Sequence, residues 1–257
     1  MGHSRGDFDL SESTTGSAAG LRAVILAGGK GVRLRPFTVN FPKSLMPLGN
    51  RPILEVLIRR LAAFGITDIT LTLGHLAELI KAYFHTHNRL TAGVRLHYIE
   101  EDEPTGTAGS LASVPDLKKT FVVMNGDLLT DLDINALVSF HRLHGAALTI
   151  AAHRRLVKLD LGVIECGDGH RIIGYKEKPE LCYDVSMGIY VYEPRVLNWI
   201  APGTYLDFPD LVLKLIANGE KVCAMPCDCF WLDIGQPEDY ARAQEIYAEG
   251  KGDYHFD

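Results

Sequence analysis

The sequence lacks any apolar run that approaches the roughly 20 residues needed to cross a bilayer, and it lacks a basic excess. Hydrophobic residues make up 47% and charged residues 23% of its 257 residues, and the formal net charge is -6. This composition is typical of a globular protein and excludes extensive disorder. Because binding of a phosphate backbone normally requires a basic face, we expect neither a nucleic-acid partner nor a membrane partner.

Cysteine is scarce, with five residues in all, and three of them lie close together as Cys223, Cys227 and Cys229. An odd number in this spacing is no disulfide framework of a secreted domain. No CxxC pair or nearby histidine accompanies the three, so buried strand cysteines are favoured over a metal half-site. This usage indicates a reducing, cytoplasmic compartment.

The first 20 residues are rich in Ser, Gly and Thr, and they lack the charged start and apolar middle of a signal peptide. We predict a disordered leader or an expression tail over residues 1–20. No internal repeat or low-complexity linker interrupts the rest, which predicts a single domain over residues 21–257.

Strand and helix patterns alternate after residue 21. Strands are predicted over 23–26, 69–73, 94–99, 121–124 and 147–151, and helices over 52–65, 77–84 and 134–143. This alternation predicts an α/β fold with three α/β/α layers, Rossmann-like, around a mainly parallel mixed sheet. Shorter strand patterns over 162–165, 172–176 and 187–192 precede helices over 208–217 and 237–248, and they predict a small antiparallel region.

A glycine-rich, cationic loop follows the first strand. Three glycines, Gly28, Gly29 and Gly31, allow backbone N–H groups to approach an anion closely. No Asp or Glu occurs between residues 13 and 54, whereas the same stretch contains Arg22, Lys30, Arg33, Arg35, Lys43 and Arg51. In an acidic protein this contrast predicts a site for a diphosphate or triphosphate, with a solvated basic loop as the alternative.

Two well-known phosphate motifs do not fit this loop. The spacing of its glycines differs from the GxGxxG of dinucleotide-binding proteins, and the Gly-Lys-Ser/Thr ending of a P-loop is missing. The loop is therefore of a third kind.

Two kinds of acidic segment are candidates for a ligand site. Asp127 follows the apolar strand pattern of residues 121–124, at the strand end where open α/β sheets bind ligands, and Asp233 also follows a strand-like run. Two such carboxylates suit Mg²⁺, although a Gly-Asp pair alone is equally typical of a turn. The acid run at residues 100–103 offers acceptors for guanine N–H groups, but acid runs are usually solvated.

The chain resembles the sugar-1-phosphate nucleotidyltransferases. Their opening motif, Gly-Gly-x-Gly-x-Arg-Leu-x-Pro followed by Pro-Lys, is present as residues 28–36 and 42–43. The resemblance extends from Arg22 to about Tyr247, through segments that begin at Gly106, Asn125, Glu177, Gly188 and Trp231. Within the family the chain is most similar to the mannose-1-phosphate guanylyltransferase branch.

This resemblance implies roles for particular residues. Arg33, Lys43 and Asp127 would be catalytic, and Asp127 and Asp233 would bind Mg²⁺. The implied nucleotide-binding residues are Leu26, Ala27, Gly28, Gly29, Lys30, Gly31, Gly106, Thr107, Ala108, Asn125 and Gly126. The implied sugar-phosphate-binding residues are Gly162, Glu177, Lys178, Ser186, Gly188 and Trp231. Residues 21–155 would then form a nucleotide lobe and residues 156–257 a sugar-phosphate lobe.

One position departs from the family pattern, because Ser186 stands where relatives usually have an Asn that contacts the sugar. The implied reaction joins a nucleoside triphosphate, preferably GTP, to a mannose-like, heptose or cyclitol 1-phosphate and releases pyrophosphate. UTP, CTP, dTTP or ATP with a glucose-type acceptor stays open, as does a homo-oligomeric state. A nucleotide-sugar glycosyltransferase and a silent nucleotide-sugar sensor or regulatory subunit are the rival functions.

Overall fold

The computed structural model describes residues 17–87 and 93–249. Its strands are β1 (Arg22–Leu26), β2 (Pro47–Leu48), β3 (Arg51–Pro52), β4 (Asp68–Leu73), β5 (Arg95–Glu100), β6 (Phe121–Asn125), β7 (Leu128–Thr130), β8 (Leu148–Lys158), β9 (Val163–Cys166), β10 (Ile172–Lys176), β11 (Glu180–Tyr192), β12 (Val222–Cys227) and β13 (Trp231–Asp233). Its α-helices are α1 (Ile53–Ala63), α2 (Ala77–Thr86), α3 (Gly106–Gly109), α4 (Ile134–His144), α5 (Phe208–Ala217) and α6 (Pro237–Ala248).

Seven strands form the central sheet, in the order β12-β8-β11-β6-β1-β4-β5. β6, β1, β4 and β5 pair in parallel, β12 pairs in parallel with β8, and β11 is antiparallel to both β8 and β6. Six strands therefore run in one direction and β11 runs against them. This confirms the predicted mainly parallel, mixed α/β sheet.

Apolar side chains cover both faces of the sheet. One buried cluster packs α1, α2, α4 and α6 against it, and a second cluster packs α3 and α5 against the opposite face. The central strands are apolar on both sides because helices bury both, as in β1, where Ala23, Val24 and Ile25 have no exposed surface. The three predicted layers are present.

Helix α1 is anchored to α2 by a buried carboxylate. The Glu55 side chain is fully buried and accepts hydrogen bonds from Arg59 Nε at 2.8 Å and from Tyr83 OH at 2.8 Å. A buried charge is tolerated when it is paired and hydrogen-bonded in this way. The helix ends close to the predicted stop at Gly65, whose φ of +77° is left-handed.

β8 and β11 are longer than the sequence predicts. The extra length of the two strands pairs Lys158 with Glu180 and continues to the β9–β10 hairpin, beyond the seven-stranded core. Residues 154–158 and 180–184 of this extension are all exposed and show no regular alternation of polar and apolar residues, so hydrophobicity located only the buried parts of the two strands. This extension and the hairpin form the antiparallel region.

Residues 17–20, which the sequence assigned to a leader, pack on the domain. Ala18 is fully buried, and its N–H donates to Asn135 Oδ1 at 2.8 Å. The N–H of Gly20 donates to the Gly65 carbonyl at 3.0 Å. Small residues make this contact, so composition gave no sign of it. Residues 1–16 lie outside the described residues.

The described helices are short. The longest, α6, has 12 residues, and within residues 17–87 and 93–249 no helix has the length and apolar character that a membrane span requires.

A buried histidine makes stability depend on pH. His141 on α4 is 1% exposed, its Nδ1 is 2.8 Å from Thr149 Oγ1, and its Nε2 is 3.1 Å from Glu193 Oε1. Burial lowers the pKa of His141 below its ordinary value, against the opposing effect of Glu193. The unfolded chain therefore binds the proton more readily. The stability that a neutral His141 contributes is present above the ordinary histidine pKa and is lost as pH falls through the folded pKa.

We expect the free energy of unfolding to fall between about pH 7.5 and about pH 5, and His141→Gln to flatten this fall. Urea unfolding at several pH values measures it. His85→Gln, at an exposed position on α2, is the matched control and should leave the pH dependence of the parent. Equal slopes for the two variants would show that His141 does not carry the effect.

Candidate active site

A cleft of about 290 Å³ lies at the carboxyl ends of β1 and β6. Ligands of open α/β sheets bind at this edge. The residues that line the cleft are Leu26, Ala27, Gly28, Gly29, Lys43, Ser44, Thr72, Glu101, Pro104, Gly106, Thr107, Ser110, Asn125, Gly126, Asp127, Tyr205 and Asp207. Six separate stretches of the chain therefore meet in one cleft.

The backbones that leave the strands touch at the floor of this cleft. The N–H of Gly126 donates to the Leu26 carbonyl at 2.9 Å, and a Cβ built on Gly126 lies 2.9 Å from the same oxygen. A Cβ built on Gly74 lies 3.0 Å from the Gly28 carbonyl oxygen. Side chains at these positions would push the strands apart, which explains the glycines here.

The glycine-rich loop folds back on itself beyond Gly29. Gly31 has a left-handed φ of +58°, its carbonyl accepts a hydrogen bond from Thr38 Oγ1 at 2.6 Å, and Leu34 is fully buried. Arg33 is exposed, and its Nη1 lies 3.5 Å from a Cβ built on Gly235. The structure therefore places the Arg33 guanidinium beside the segment that carries Asp233, and not in the lining of the cleft.

Lys43 forms an ion pair with Asp127. Its Nζ contacts Asp127 Oδ2, and the two side chains are 11% and 27% exposed. A short 3-10 turn, Lys43–Leu45, presents the lysine, and Asp127 follows β6 by two residues. A half-buried ion pair at the end of a parallel strand supplies both a cation and a carboxylate to the cleft.

Asp233 lies next to Asp127. Strand β13 pairs antiparallel with β7, and the N–H of Ile234 donates to the Asp127 carbonyl at 3.0 Å. Burial, followed by the charge of Asp127, raises the pKa of the Asp233 carboxyl, while Lys43 and Arg33 act in the opposite direction. Two carboxylates and two cations thus lie close enough to influence one another, although Lys43 and Asp233 are 190 positions apart in the sequence.

This carboxylate pair is the set of groups that Mg²⁺ prefers. Within the described ranges no group of three or more metal-ligating side chains occurs. Mg²⁺ usually binds one or two carboxylates and completes its coordination with phosphate oxygens and water. Asp127 and Asp233 therefore suit a magnesium ion that binds together with a phosphate ligand. They suit less well an ion held permanently by protein ligands alone.

The turn at Gly106–Gly109 forms another wall of the cleft. The N–H groups of Ala108 and Gly109 donate to the Leu206 carbonyl at 3.0 and 2.9 Å, and the N–H of Thr107 donates to Asp207 Oδ1 at 3.3 Å. These N–H groups already have partners inside the protein. Ala108 itself is fully buried behind the wall.

Glu101 is the acid of the 100–103 run that lines the cleft. Its Oε1 accepts a hydrogen bond from Thr105 Oγ1. Its Oε2 lies 3.5 Å from a Cβ built on Gly28, above the glycine-rich loop. Glu101 therefore presents a carboxylate to the cleft, and the base-binding role of this run stays a prediction.

Ser186, Gly188 and Trp231 lie beside the cleft. Gly188 has a φ of +73°, and a Cβ built there lies 2.6 Å from Asn125 Nδ2. Ser186 Oγ accepts from the N–H of Gly188 and donates to Tyr190 OH, both at 3.3 Å. Trp231 Nε1 donates to the Met187 carbonyl at 2.9 Å. The structure thus groups these three predicted residues around the bend of β11.

Gly162, Glu177 and Lys178 lie on and around the β9–β10 hairpin, outside the lining of the cleft. A Cβ built on Gly162 overlaps the Tyr175 hydroxyl at 1.9 Å, and that hydroxyl donates to Glu177 Oε2 at 3.0 Å. Lys178 is exposed and has a left-handed φ of +43°. Gly162 and Glu177 therefore meet at Tyr175.

The sequence located most of the cleft but missed one wall. The predicted residues that line it are Leu26, Ala27, Gly28, Gly29, Lys43, Gly106, Thr107, Asn125, Gly126 and Asp127, whereas Lys30, Gly31 and the buried Ala108 lie outside the lining. Tyr205 and Asp207 were missed. They stand about a hundred residues from the turn that they contact, in no recognised motif, and the only signal is an acid just before the helix pattern at 208–217.

The central sheet and the glycine-lined cleft at its carboxyl edge define a Rossmann-like α/β protein. Residues 22–250 match the nucleotidyl transferase family, and the chain belongs to this family. The predicted membership of the sugar-1-phosphate nucleotidyltransferases is confirmed.

Two curated relatives cover most of the chain. A UTP–glucose-1-phosphate uridylyltransferase of Synechocystis sp. is 36% identical over 87% of this chain and 62% of the relative. A probable mannose-1-phosphate guanylyltransferase 2 of Arabidopsis thaliana is 32% identical over 89% of this chain and 65% of the relative. The chain thus spans less than two thirds of the length of these relatives.

A solved structure has the same fold. The crystal structure of HddC from Yersinia pseudotuberculosis aligns with a TM-score of 0.68 and 24% sequence identity, and the alignment covers 88% of this chain and 99% of that chain.

The turn at Gly106 gives a stability test. Its φ of +83° and the 2.5 Å distance from a built Cβ to the Leu206 carbonyl oxygen predict that Gly106→Ala combines backbone strain with a clash. Gly203→Ala is the matched control, because Gly203 also has a left-handed φ of +70° but nothing lies within 4 Å of its built Cβ.

We expect the control to lose about 1–2 kcal/mol of unfolding free energy from strain alone, and Gly106→Ala to lose clearly more. Chemical denaturation measures both values. Equal losses would mean that the turn moves away from Leu206 without cost.

Proposed function

We propose that this chain catalyses the transfer of a nucleotidyl group from a nucleoside triphosphate to a sugar 1-phosphate, with release of pyrophosphate. The observation that carries the proposal is the grouping of Asp127, Asp233, Lys43 and Arg33 at the edge of the glycine-lined cleft. Such a set neutralises polyphosphate charge and holds a divalent cation.

An oxygen of the sugar phosphate attacks the α-phosphorus of the triphosphate in line. The new P–O bond forms as the bond from the α-phosphorus to the bridging oxygen of the β-phosphate breaks, and the electron pair leaves with pyrophosphate. The attacking oxygen is already anionic, so the reaction needs no general base. Positioning and charge neutralisation supply the acceleration.

The chain's own residues take distinct parts in this reaction. Lys43, paired with Asp127, holds the α-phosphate, and Arg33 stabilises the departing pyrophosphate. Backbone groups of Gly28 and Gly29 approach the phosphates. Magnesium on Asp127 and Asp233 would supply neutralisation of phosphate charge, which accords with the two-carboxylate set.

For the acceptor we propose the surfaces around Ser186, Gly188 and Trp231, with Lys178 and Glu177 approaching from the hairpin. The position of Gly188 against Asn125 supports an acceptor site adjoining the nucleotide cleft. A hydroxyl at residue 186 reaches less far than an amide, so the acceptor can differ from mannose 1-phosphate, and a heptose or a cyclitol phosphate is an alternative.

GTP is the preferred nucleotide in this proposal. The Glu101 carboxylate accepts hydrogen bonds but donates none, as a guanine edge with adjacent N–H groups requires. UTP with a glucose-type acceptor is the second candidate, which the uridylyltransferase relative favours. The described cysteines are all free, which supports our proposal of a cytoplasmic location, and a homo-oligomeric state stays open.

The reaction is tested by pyrophosphate release with Mg²⁺, across the five common nucleoside triphosphates against mannose, glucose, heptose and cyclitol 1-phosphates. We expect one combination to exceed the others, with GTP as the nucleotide. A blank grid with intact nucleotide binding, which persists when further acceptors are added, would favour the nucleotide-sensor alternative. Release that depends on a nucleotide-sugar donor would favour a glycosyltransferase.

The residue roles are tested by Arg33→Ala and Asp127→Asn. We expect each to lower kcat by about 10²-fold to 10³-fold, because each removes a charge that acts on the transition state, with little change in thermal stability. Arg95→Ala and Asp168→Asn remove the same charges at exposed positions and serve as controls. Near-normal kcat in either site variant would refute its assigned role.

A further inference from the structure

Two residues of the nucleotide cleft come from the half of the chain that the sequence assigned to the sugar phosphate. Tyr205 and Asp207 line the cleft together with Gly106, Thr107 and Glu101. They lie in residues 204–208, between β11 and helix α5, and we call this stretch the clamp segment. The contacts of the clamp segment with the turn at 106–109 indicate its role.

The side chains of the clamp segment and of the turn at 106–109 bind each other reciprocally. Asp207 Oδ1 accepts from the N–H of Thr107 at 3.3 Å and from its hydroxyl at 3.4 Å. In return, Thr107 Oγ1 accepts from the N–H of Phe208 at 2.8 Å. Tyr205 OH donates to Asp207 Oδ2 at 2.7 Å, which fixes the carboxylate on its other side.

The backbones repeat this connection. The Leu206 carbonyl accepts from Ala108 and Gly109, and the N–H of Leu206 donates to the Thr105 carbonyl at 2.8 Å. The turn lies directly against the clamp segment, since a Cβ built on Gly106 would be 2.5 Å from the Leu206 carbonyl oxygen. The position of this cleft wall is therefore set by contacts between residues about a hundred positions apart.

Asp207 is one of three acids, with Glu101 and Asp127, that line a cleft to which the proposed function assigns a polyphosphate. A carboxylate repels nearby phosphate groups and weakens their binding. We therefore expect a carboxylate at this place to have another role that offsets the repulsion. The cations Lys43 and Arg33 adjoin Asp127 and Asp233, whereas Asp207 is bound to the turn that carries Thr107. Its hydrogen bonds point to a role in holding that wall.

We propose that Asp207 is the positioning residue for the nucleoside side of the cleft. Its carboxylate holds the turn at 106–109 in the form that receives the base and ribose, so nucleotide affinity depends on a side chain from the acceptor half. The proposal rests on the proposed function in taking a nucleoside triphosphate as the ligand of this cleft.

The test compares Asp207→Ala, Asp207→Asn and Asp210→Asn. Asp210 lies in the first turn of α5, three residues along, and is exposed, so its variant changes the same charge without touching the turn. Calorimetry with GTP and with UTP, each with Mg²⁺, gives the dissociation constants. Steady-state kinetics gives kcat and KM for both substrates, and thermal melting reports the folded fraction.

We expect Asp207→Ala to raise the dissociation constant of the better-bound nucleotide by about tenfold, as loss of a charge-assisted hydrogen bond predicts. Asp207→Asn should recover part of this loss, because its amide oxygen still accepts from Thr107. Asp210→Asn should match the parent. At saturating nucleotide, kcat and the acceptor KM should stay within about threefold of the parent.

Unchanged nucleotide affinity in a folded Asp207→Ala protein would overturn the proposal. So would a fall in kcat and melting temperature with unaltered dissociation constants, since that is the result of a purely structural role. If Asp207→Ala does not fold, the dissociation constants, kcat and melting temperature of Asp207→Asn test the proposal instead. If the parent binds nucleotide but shows no turnover, the proposed reaction alone is refuted. The dissociation constants of the parent and of the Asp207 variants still test the role of Asp207. Binding of neither nucleotide by the parent overturns both.

Discussion

The direct contact of backbones beyond β1, β4 and β6 is the constraint on which the site depends. Gly126 bonds to Leu26, and Gly28 lies against Gly74, with no room for side chains between them. This contact brings Asn125, Asp127 and the glycine-rich loop to one edge of the sheet. Without it, the buried strands would still form a sheet, but their ends would diverge and the cleft would lose its floor.

The electrostatic arrangement follows from that geometry. Asp127 and Asp233 are brought together by the pairing of β7 with β13, and burial, followed by the charge of Asp127, raises the pKa of Asp233. Lys43 and Arg33 offset this repulsion. Under the proposed function, a divalent cation bound by the two carboxylates would lower the repulsion between them, and Lys43 and Arg33 would then be available to a polyphosphate.

The sequence predicted the features that are local. Apolar runs located the central strands, the glycine motif around Gly28 located one wall of the cleft, and the family resemblance joined Asp127 to Asp233. The features that it missed depend on contacts between residues that are far apart in the sequence. The outer ends of β8 and β11 have no buried face, the packing of Ala18 involves small residues, and Asp207 contacts Thr107 a hundred positions away. Periodicity carries no information about such partners.

The reciprocal bonds between Thr107 and Asp207, and the ion pair between Lys43 and Asp127, have a consequence for folding. Both join segments about a hundred residues apart, so the loop-closure entropy must be overcome before either forms. The parallel pairing of β1 with β6, from Arg22 to Phe121, closes a loop of similar length, so the central sheet and the cleft share this entropic cost. A chain that ends before residue 204 would possess the glycine-rich loop and yet lack the residues that hold the turn at 106–109.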